Sequence, residues 1–263
     1  LLSKRYAKSR IKEIDWEKNN PKVKPGNPYK FQGGRKNPYQ DYLKTWGEEK
    51  KRFNPNDGNQ DFGAIETEFN TGTTTIQAAD KEGWVVSITP SGGWIPTVIA
   101  GNTGVGLSQR AQSFVLYADE NPFNVIAPGK RPRATLTPAL AIKDGKPYLS
   151  FAVQGGDTQD QNLLQFFLNM VEFDMNVQEA TEAANVNSYQ MYSSFGKHSK
   201  EAGRIVVQED IPPWVIKDLR KMGYNIQKRR LTSGPINAIW FDWEHNTMWG
   251  GSSNYGEDYG IGW

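Results

Sequence analysis

The sequence of 263 residues contains no cysteine and only two histidines, and each absence excludes a kind of chemistry. Without cysteine there is no thiol nucleophile, no disulfide and no cysteine-ligated metal, although this does not decide the compartment. His198 and His245 are isolated and form no metal-ligand pattern, so we expect surface or core roles for both. The sequence therefore predicts neither a metal site nor another cofactor.

Long hydrophobic runs are also absent, so the sequence predicts no membrane-spanning segment. Residues 1–5, Leu-Leu-Ser-Lys-Arg, lack the hydrophobic core of a signal peptide. Because the chain does not begin with methionine, we expect it to be part of a longer protein, with any targeting signal upstream. Its 37% hydrophobic and 12% aromatic content can fill the core of a soluble globular protein of one large domain or two small ones.

The net charge of +2 is unevenly distributed along the chain. Residues 1–72 contain 15 lysines and arginines against 10 acidic residues, whereas residues 73–263 contain 16 against 19. The downstream part is slightly acidic, which argues against nucleic acid as its ligand. We interpret the basic residues of the upstream part as a solvated face rather than a nucleic-acid site.

Secondary-structure signals divide the chain at about the same place. Residues 15–59 are rich in lysine, asparagine, proline and glycine, which favours a surface-wrapping or mobile connector. Downstream, β-forming runs predict strands at residues 73–79, 84–89, 113–118, 136–142, 146–153, 203–208, 225–230 and 236–243. Helical spacing predicts helices at residues 1–14, 161–173, 176–186 and 213–222. This order of elements is typical of a layered α+β domain rather than a doubly wound one.

Residues 70–80 mark the change from a polar loop to the first β-forming run, which begins at Thr73. A threonine within a chain is a weak nucleophile, because its hydroxyl needs a base to take its proton. Cleavage between Gly72 and Thr73 would free an α-amine that can act as that base. Gly72 suits the cut because a glycine tolerates strained backbone. The alternative is a threonine-rich strand that starts after a glycine.

Five motifs occur in an order that is typical of one enzyme family. They are residues 1–7, residues 73–80 with Gly83, Pro128-Gly129-Lys130-Arg131-Pro132 with Thr137-Pro138 and Gly155-Gly156, residues 173–176 with Glu179-Ala180, and residues 250–263. In these motifs the chain resembles the γ-glutamyltransferase (γ-glutamyltranspeptidase) family, whose members have the αββα sandwich of N-terminal-nucleophile hydrolases and cleave themselves into two subunits. The resemblance implies that residues 1–72 are the end of the large subunit with a connector, and that residues 73–263 are the small, catalytic subunit.

The resemblance also implies catalytic roles for four residues. Thr73 would be the nucleophile with its own α-amine as the base, and Ser91 stands where the family has a threonine that supports the amine and hydroxyl. The N–H groups of Gly155 and Gly156, just ahead of a predicted helix, would stabilise an oxyanion. A tight turn between strand and helix is the plainer explanation of this glycine pair, and it is compatible with the catalytic one.

The chain departs from the family where γ-glutamyl groups are bound. Arg110 and Ser113 stand in place of an acidic or amide residue and an aspartate that hold the substrate's ammonium group. Gly93 stands in place of an asparagine, and Ala134 and Thr135 in place of two serines. A further family arginine, which grips the substrate carboxylate, belongs to the upstream large subunit and lies outside this sequence.

Arg110 changes the expected substrate. A guanidinium stays protonated and offers only hydrogen-bond donors, so it would repel an ammonium group and attract a carboxylate. This predicts that dicarboxylic acyl groups without an amine, such as glutaryl, are cleaved better than γ-glutamyl groups, the pattern expected of the family's cephalosporin-acylase-like members. The alternative is that Arg110 points to solvent or pairs with an acid outside the site.

Three functions remain open from the sequence. The first is a γ-glutamyltransferase-like enzyme, self-cleaved between Gly72 and Thr73, that transfers the acyl group of a glutathione-type or related amide through Thr73 to water or an amine. The second is an acylase for glutaryl-like amides, and the third is a binding relative that has lost catalysis. The expected partners of the enzyme are a small-molecule amide substrate and the large subunit of the same precursor.

Overall fold

The computed structural model describes residues 1–45, 73–92, 98–196, 198–254 and 258–262. Its helices are α1 (Lys4–Ile11), α2 (Gln40–Lys44), α3 (Gln159–Val171), α4 (Val177–Glu182) and α5 (Pro213–Lys221). Its strands are β1 (Ile76–Ala79), β2 (Val85–Ile88), β3 (Ala139–Lys143), β4 (Lys146–Val153), β5 (Val186–Ser188), β6 (Arg204–Gln208), β7 (Asn225–Arg229), β8 (Ile236–Asp242) and β9 (Thr247–Ser252). The fold is α+β, as predicted.

The strands form three sheets. β1 and β2 make an antiparallel hairpin, and a four-stranded antiparallel sheet has the order β3-β4-β8-β9. In the third sheet β6 lies between β5 and β7, and it is parallel to β7. The chain passes from β6 to β7 through α5, because parallel neighbours need a long crossover that is usually helical.

The main hydrophobic core lies between the four-stranded sheet and α3. β4 buries Phe151 and Val153, and α3 places Leu163, Phe166 and Met170 against this face at helical spacing. The ring centroids of Phe151 and Phe166 are 5.5 Å apart, within the range where aromatic pairs stabilise each other beyond the area they bury. This packing fixes the end of β4 and the start of α3, and therefore the turn that joins them.

α4 begins at a capping box and packs closely on β9. The Asn176 side chain accepts hydrogen bonds from the N–H groups of Gln178 and Glu179, and the Glu179 carboxylate accepts one from the N–H of Asn176. A Cβ atom at Gly251 of β9 would lie 2.8 Å from both Cγ2 and the carbonyl oxygen of Val177. Residue 251 must therefore be glycine, because α4 leaves no room for a side chain.

The β1–β2 hairpin packs on the four-stranded sheet through polar contacts. Gln77 of β1 accepts a hydrogen bond of 2.6 Å from the Ser150 hydroxyl of β4. Asn237 of β8 donates one of 2.9 Å to the hydroxyl of Thr75. The opposite face of the hairpin carries the paired side chains of Ile76 and Ile88, which are 50% and 46% exposed. The hairpin is therefore a second β layer with an apolar outer face.

The prediction of a strand at residues 113–118 was wrong. Arg110–Ser113 forms a 3-10 turn, and Val115 makes an isolated parallel bridge with Val125. The Val115 N–H donates to the Asn124 carbonyl and its carbonyl accepts from the Ile126 N–H, both at 3.1 Å. These bonds satisfy the backbone of Val115 within a local loop, so the apolar run does not join a sheet.

The helix predicted at residues 176–186 is shorter than expected, because β5 begins at Val186. The Gln165 side chain of α3 donates to the Val186 carbonyl at 2.8 Å and accepts from the Val186 N–H at 2.9 Å. This contact holds residue 186 as an extended strand beside β6. Strand β9 was not predicted, because Gly250 and Gly251 weaken its β-forming signal.

The described part of the predicted connector lies on the surface of the downstream fold. The N–H of Asn19 donates to the Met222 carbonyl at 2.7 Å, and the Gln190 side chain donates to the Pro21 carbonyl at 2.8 Å. The rest of the connector, residues 46–59, lies outside the described residues. Among the helices of the described ranges, none has the length and apolar character to cross a membrane.

Candidate active site

Thr73 and Ser91 face each other where the two strands of the hairpin begin and end. The ladder pairs Ile76 with Ile88, and the same register continued outward gives an isolated antiparallel bridge between Thr73 and Ser91. Thr73 is only 8% exposed, and its Oγ1 donates a hydrogen bond of 3.1 Å to Ser91 Oγ. The hairpin thus holds a buried threonine hydroxyl against a second hydroxyl.

Arg110 extends this pair into a group that we call the hydroxyl–arginine cluster, made of Thr73, Ser91, Arg110 and Thr135. Arg110 donates from Nη2 to Ser91 Oγ at 3.2 Å and from Nη1 to Thr135 Oγ1 at 3.3 Å. Its Cζ also lies 5.6 Å from the ring centroid of Phe195. The Arg110 side chain therefore points toward this cluster rather than to solvent, while its role in binding substrate stays a prediction.

The electrostatic surroundings of Arg110 act in two directions. Burial lowers the pKa of Arg110, and the nearby charge of Asp157 opposes this by raising it. An arginine side chain nevertheless remains protonated in proteins, because its pKa lies far above neutral pH. The cluster therefore contains a permanent positive charge that is partly removed from water.

The other predicted substrate-binding residues contribute less. Thr135 is buried and bonds Arg110, whereas Ala134 is exposed and carries no polar side-chain atom. Ser113 is fully buried, and its hydroxyl has no hydrogen-bond partner among the residues that the structure describes. Gly93 lies outside the described residues, as does Gly72.

Gly155 and Gly156 form the turn that follows β4, and Gly156 is the first residue of the short 3-10 segment ahead of α3. Their φ angles are 131° and 30°, a backbone region that other residues rarely adopt. A Cβ atom at Gly156 would lie 3.4 Å from the Phe195 ring. The turn therefore requires glycine for its backbone, and it brings both N–H groups close to the start of a helix.

Asp157 holds this turn in place, and the sequence analysis missed it. Its carboxylate accepts hydrogen bonds from the N–H of Ser194 at 2.7 Å and from the Ser194 hydroxyl at 2.5 Å. It also pairs with Arg133 at 3.5 Å. The neighbouring Phe195 ring lies beside the turn, on the side where Gly156 lacks a Cβ, and also beside the guanidinium of Arg110. A carboxylate directly after the glycine pair was the available sequence signal.

A cavity of about 1210 Å³ lies beside the glycine turn. Its walls run from Gly155-Gly156 and Phe195 to the edge of β6 and β7, where Arg204 and Gln227 are joined by a hydrogen bond of 2.7 Å. The members of the hydroxyl–arginine cluster are not among the residues that line it. The cavity therefore adjoins the predicted oxyanion turn rather than the predicted nucleophile.

The two histidines make separate contacts away from the cluster. His198 Nδ1 hydrogen-bonds the Ser193 carbonyl at 3.0 Å, and His245 Nδ1 pairs with the Asp242 carboxylate at 2.8 Å. In the part of the chain that the structure describes, no three histidine, aspartate or glutamate side chains gather as metal ligands.

Comparisons with known proteins identify the relatives of this chain. The model of the gamma-glutamyltranspeptidase family matches residues 1–263. The glutathione hydrolase proenzyme of Bacillus subtilis strain 168 is 28% identical over 99% of this chain, which spans only 39% of that relative. The acylase ACY 1 proenzyme of Pseudomonas sp. strain V22 is 28% identical, and the match covers 65% of this chain and 28% of the relative.

A comparison with solved structures shows which proteins have a similar fold. A gamma-glutamyltranspeptidase from Pseudomonas nitroreducens, solved in complex with L-DON, superposes with a TM-score of 0.60 at 22% identity. The superposition covers 72% of this chain and 98% of that chain. The predicted N-terminal-nucleophile hydrolase fold, the αββα sandwich, is therefore confirmed. The family match over the whole sequence establishes that this chain belongs to the γ-glutamyltranspeptidase family.

Proposed function

We propose that this chain is the catalytic part of a γ-glutamyltransferase-like enzyme that uses Thr73 as its nucleophile. The observation that carries the proposal is the 3.1 Å hydrogen bond from Oγ1 of the buried Thr73 to Ser91 Oγ. In this assignment residues 1–72 are the end of the large subunit with a connector, and residues 73–263 are the small subunit.

Self-cleavage would come first. Thr73 Oγ1 attacks the carbonyl carbon of Gly72, the peptide bond to the Thr73 nitrogen breaks, and the hydroxyl proton ends on that nitrogen. Water then hydrolyses the resulting ester, which returns the Thr73 hydroxyl and leaves a carboxylate on Gly72. The product has a free α-amine beside the hydroxyl, so one residue supplies both nucleophile and base.

Turnover repeats the same chemistry on a substrate amide. Thr73 Oγ1 attacks the amide carbonyl while the α-amine takes its proton, and the leaving amine receives that proton as the bond breaks. The acyl-enzyme ester is then attacked by water or by an acceptor amine. The N–H groups of Gly155 and Gly156 would stabilise the negative oxygen of each tetrahedral intermediate, and Asp157 supports that turn through Ser194.

Two further observations bear on the partners and the substrate. A large subunit from the same precursor is supported by the exposed apolar face of the hairpin and by the length of the chain, which spans 39% of its Bacillus subtilis relative.

The position of Arg110 in the cluster favours the second candidate function, an acylase for dicarboxylic acyl groups such as glutaryl. The acylase ACY 1 relative supports the same alternative.

The test is the intact mass of the full-length precursor, as wild type, Thr73→Ala and Thr74→Ala. We expect the wild type and the exposed Thr74→Ala control to split between Gly72 and Thr73, and Thr73→Ala to remain one chain. Incubation with an acyl anilide should add the acyl mass to the fragment that begins at Thr73. A boundary elsewhere, or a Thr73→Ala protein that still splits, contradicts the proposal. An unsplit wild type that binds amides without turnover favours the binding relative.

A further inference from the structure

Arg110 makes its closest side-chain contacts with hydroxyls of the nucleophile's own network. One guanidinium nitrogen bonds Ser91 and the other bonds Thr135, at 3.2 and 3.3 Å. Ser91 Oγ is also the acceptor of the Thr73 hydroxyl. The positive charge and the nucleophilic oxygen therefore share one hydrogen-bonding atom, and they are at most two hydrogen-bond lengths apart.

A fixed positive charge at that distance changes the acidity of the groups around it. It favours the deprotonated form of a hydroxyl and disfavours the protonated form of an amine, so it lowers the pKa of both. A unit charge about 6 Å away, at an effective dielectric constant between those of protein interior and water, shifts a pKa by roughly one unit. Both effects make Thr73 more reactive at neutral pH.

We infer that Arg110 is a positioning residue for the nucleophile, acting through Ser91 to lower the pKa of the Thr73 hydroxyl and, after cleavage, of its α-amine. The inference rests on the proposed function and adds a role for Arg110 that does not depend on the substrate. It requires Arg110 to act even when no carboxylate is bound.

The charged groups near the cluster do not cancel this effect. Asp157 is the carboxylate that acts on Arg110, but Arg133 pairs with it at 3.5 Å, so the three charges together leave one net positive charge. The other neighbours of the guanidinium are the hydroxyls of Ser91 and Thr135 and the ring of Phe195, which are uncharged. Among the described groups, the charge that reaches Ser91 directly is therefore that of Arg110.

The first test is the rate of self-cleavage, which involves no substrate. Full-length precursors with Arg110→Gln, Arg110→Lys and the exposed-arginine control Arg230→Gln are followed by intact mass at pH 7. We expect Arg110→Gln to cleave about tenfold more slowly than wild type, because one pKa unit is a tenfold change in the deprotonated fraction. Arg110→Lys keeps the charge, so its cleavage rate should lie between those of wild type and Arg110→Gln. The cleavage rate of Arg230→Gln should equal that of wild type.

The second test is the pH dependence of kcat/KM for a neutral acyl anilide, such as butyryl anilide, on cleaved enzyme. The α-amine must be neutral to act as base, so activity falls on the acid side as the amine becomes protonated. Loss of the Arg110 charge raises the amine pKa, and the acid limb should therefore move to higher pH in Arg110→Gln. In Arg230→Gln the acid limb should stay at the wild-type pH.

The outcomes separate this inference from the function on which it rests. If the wild type does not cleave at Thr73, both the proposed function and the inference about Arg110 are contradicted. A wild type that cleaves and turns over, with an Arg110→Gln variant of unchanged cleavage rate and acid limb, overturns only the role of Arg110. Arg110→Lys as slow as Arg110→Gln would also overturn it, since the charge would then have no effect. A circular dichroism spectrum and melting temperature close to wild type are required of each variant.

Discussion

Arg110 is the charged member of the hydroxyl–arginine cluster, and its contacts leave donors for a ligand. A guanidinium has five N–H donors, and the contacts to Ser91 and Thr135 use two of them. A substrate carboxylate beside it would gain charge-assisted hydrogen bonds, whereas an ammonium group would be repelled. Under the proposed function, the same side chain would therefore both activate the nucleophile and select the acyl group.

This selection predicts a substrate preference that Arg110 controls. Wild type should cleave glutaryl anilide with a higher kcat/KM than γ-glutamyl anilide, and Arg110→Gln should lower that ratio about tenfold, the effect of losing one charged hydrogen bond. Arg230→Gln serves as the control and should keep the ratio. A wild-type preference for the γ-glutamyl compound, or an unchanged ratio in Arg110→Gln, would show that Arg110 does not set specificity.

The residues of the site differ in how far their positions follow from the sequence. Ser91 lies opposite Thr73 because the hairpin pairs Ala79 with Val85 and this register continues to its open end. The strands predicted at residues 73–79 and 84–89 indicate the hairpin, but their bounds do not give this register. Arg110 and Asp157 meet their partners across long stretches of chain, and no local pattern encodes such contacts. The family resemblance identified Arg110, while Asp157 became visible only through its bonds to Ser194.

The elements that were predicted well are those whose pattern matches their packing. β4 has the predicted bounds, and α3 begins two residues earlier than the helix predicted at residues 161–173. Both were predictable because each buries a continuous apolar face in one core. β5 and β9 were not predicted, because contacts with other elements stabilise them. The Gln165 side chain hydrogen-bonds the backbone of Val186 in β5, and β8 pairs with every residue of β9. For these strands tertiary contacts decide the conformation rather than local propensity.

The close approach of α4 to β9 predicts different effects for two adjacent glycines. Gly251→Ala should destabilise the protein by about 1–3 kcal/mol, the cost of overpacking, because its Cβ would lie 2.8 Å from Val177. Gly250→Ala is the control, since a Cβ there would meet no atom within 4 Å. Urea unfolding of both variants measures the difference. Equal stability of the two would mean that α4 does not pack on β9 in this way.

At the scale of the whole molecule, the described residues supply three layers of the sandwich. The helices α3 and α4 cover one face of the four-stranded sheet, and the hairpin lies against that sheet as a second β layer. The outer face of the hairpin carries Ile76, Val86 and Ile88, which are 50%, 45% and 46% exposed. In an αββα sandwich this is the face that a second helical layer would cover.

The length of the chain indicates where that layer comes from. This chain spans 39% of its Bacillus subtilis relative, so most of the relative's length has no counterpart here. Contiguous apolar surface on a soluble protein marks an interaction site. We therefore expect the upstream part of the same precursor to cover the hairpin, which would also shield the buried Thr73 from water.

A charge on the outer face of the hairpin should weaken that association. In the full-length precursor, Ile88→Glu would bury an unpaired carboxylate at a cost of about 3 kcal/mol, so the two fragments should separate on gel filtration after cleavage. Leu164→Glu is the control, because Leu164 lies on α3 with a similar exposure of 58%. We expect its fragments to remain together, as in wild type. If Ile88→Glu fragments elute together with an unchanged melting temperature, the upstream subunit does not pack on the hairpin face.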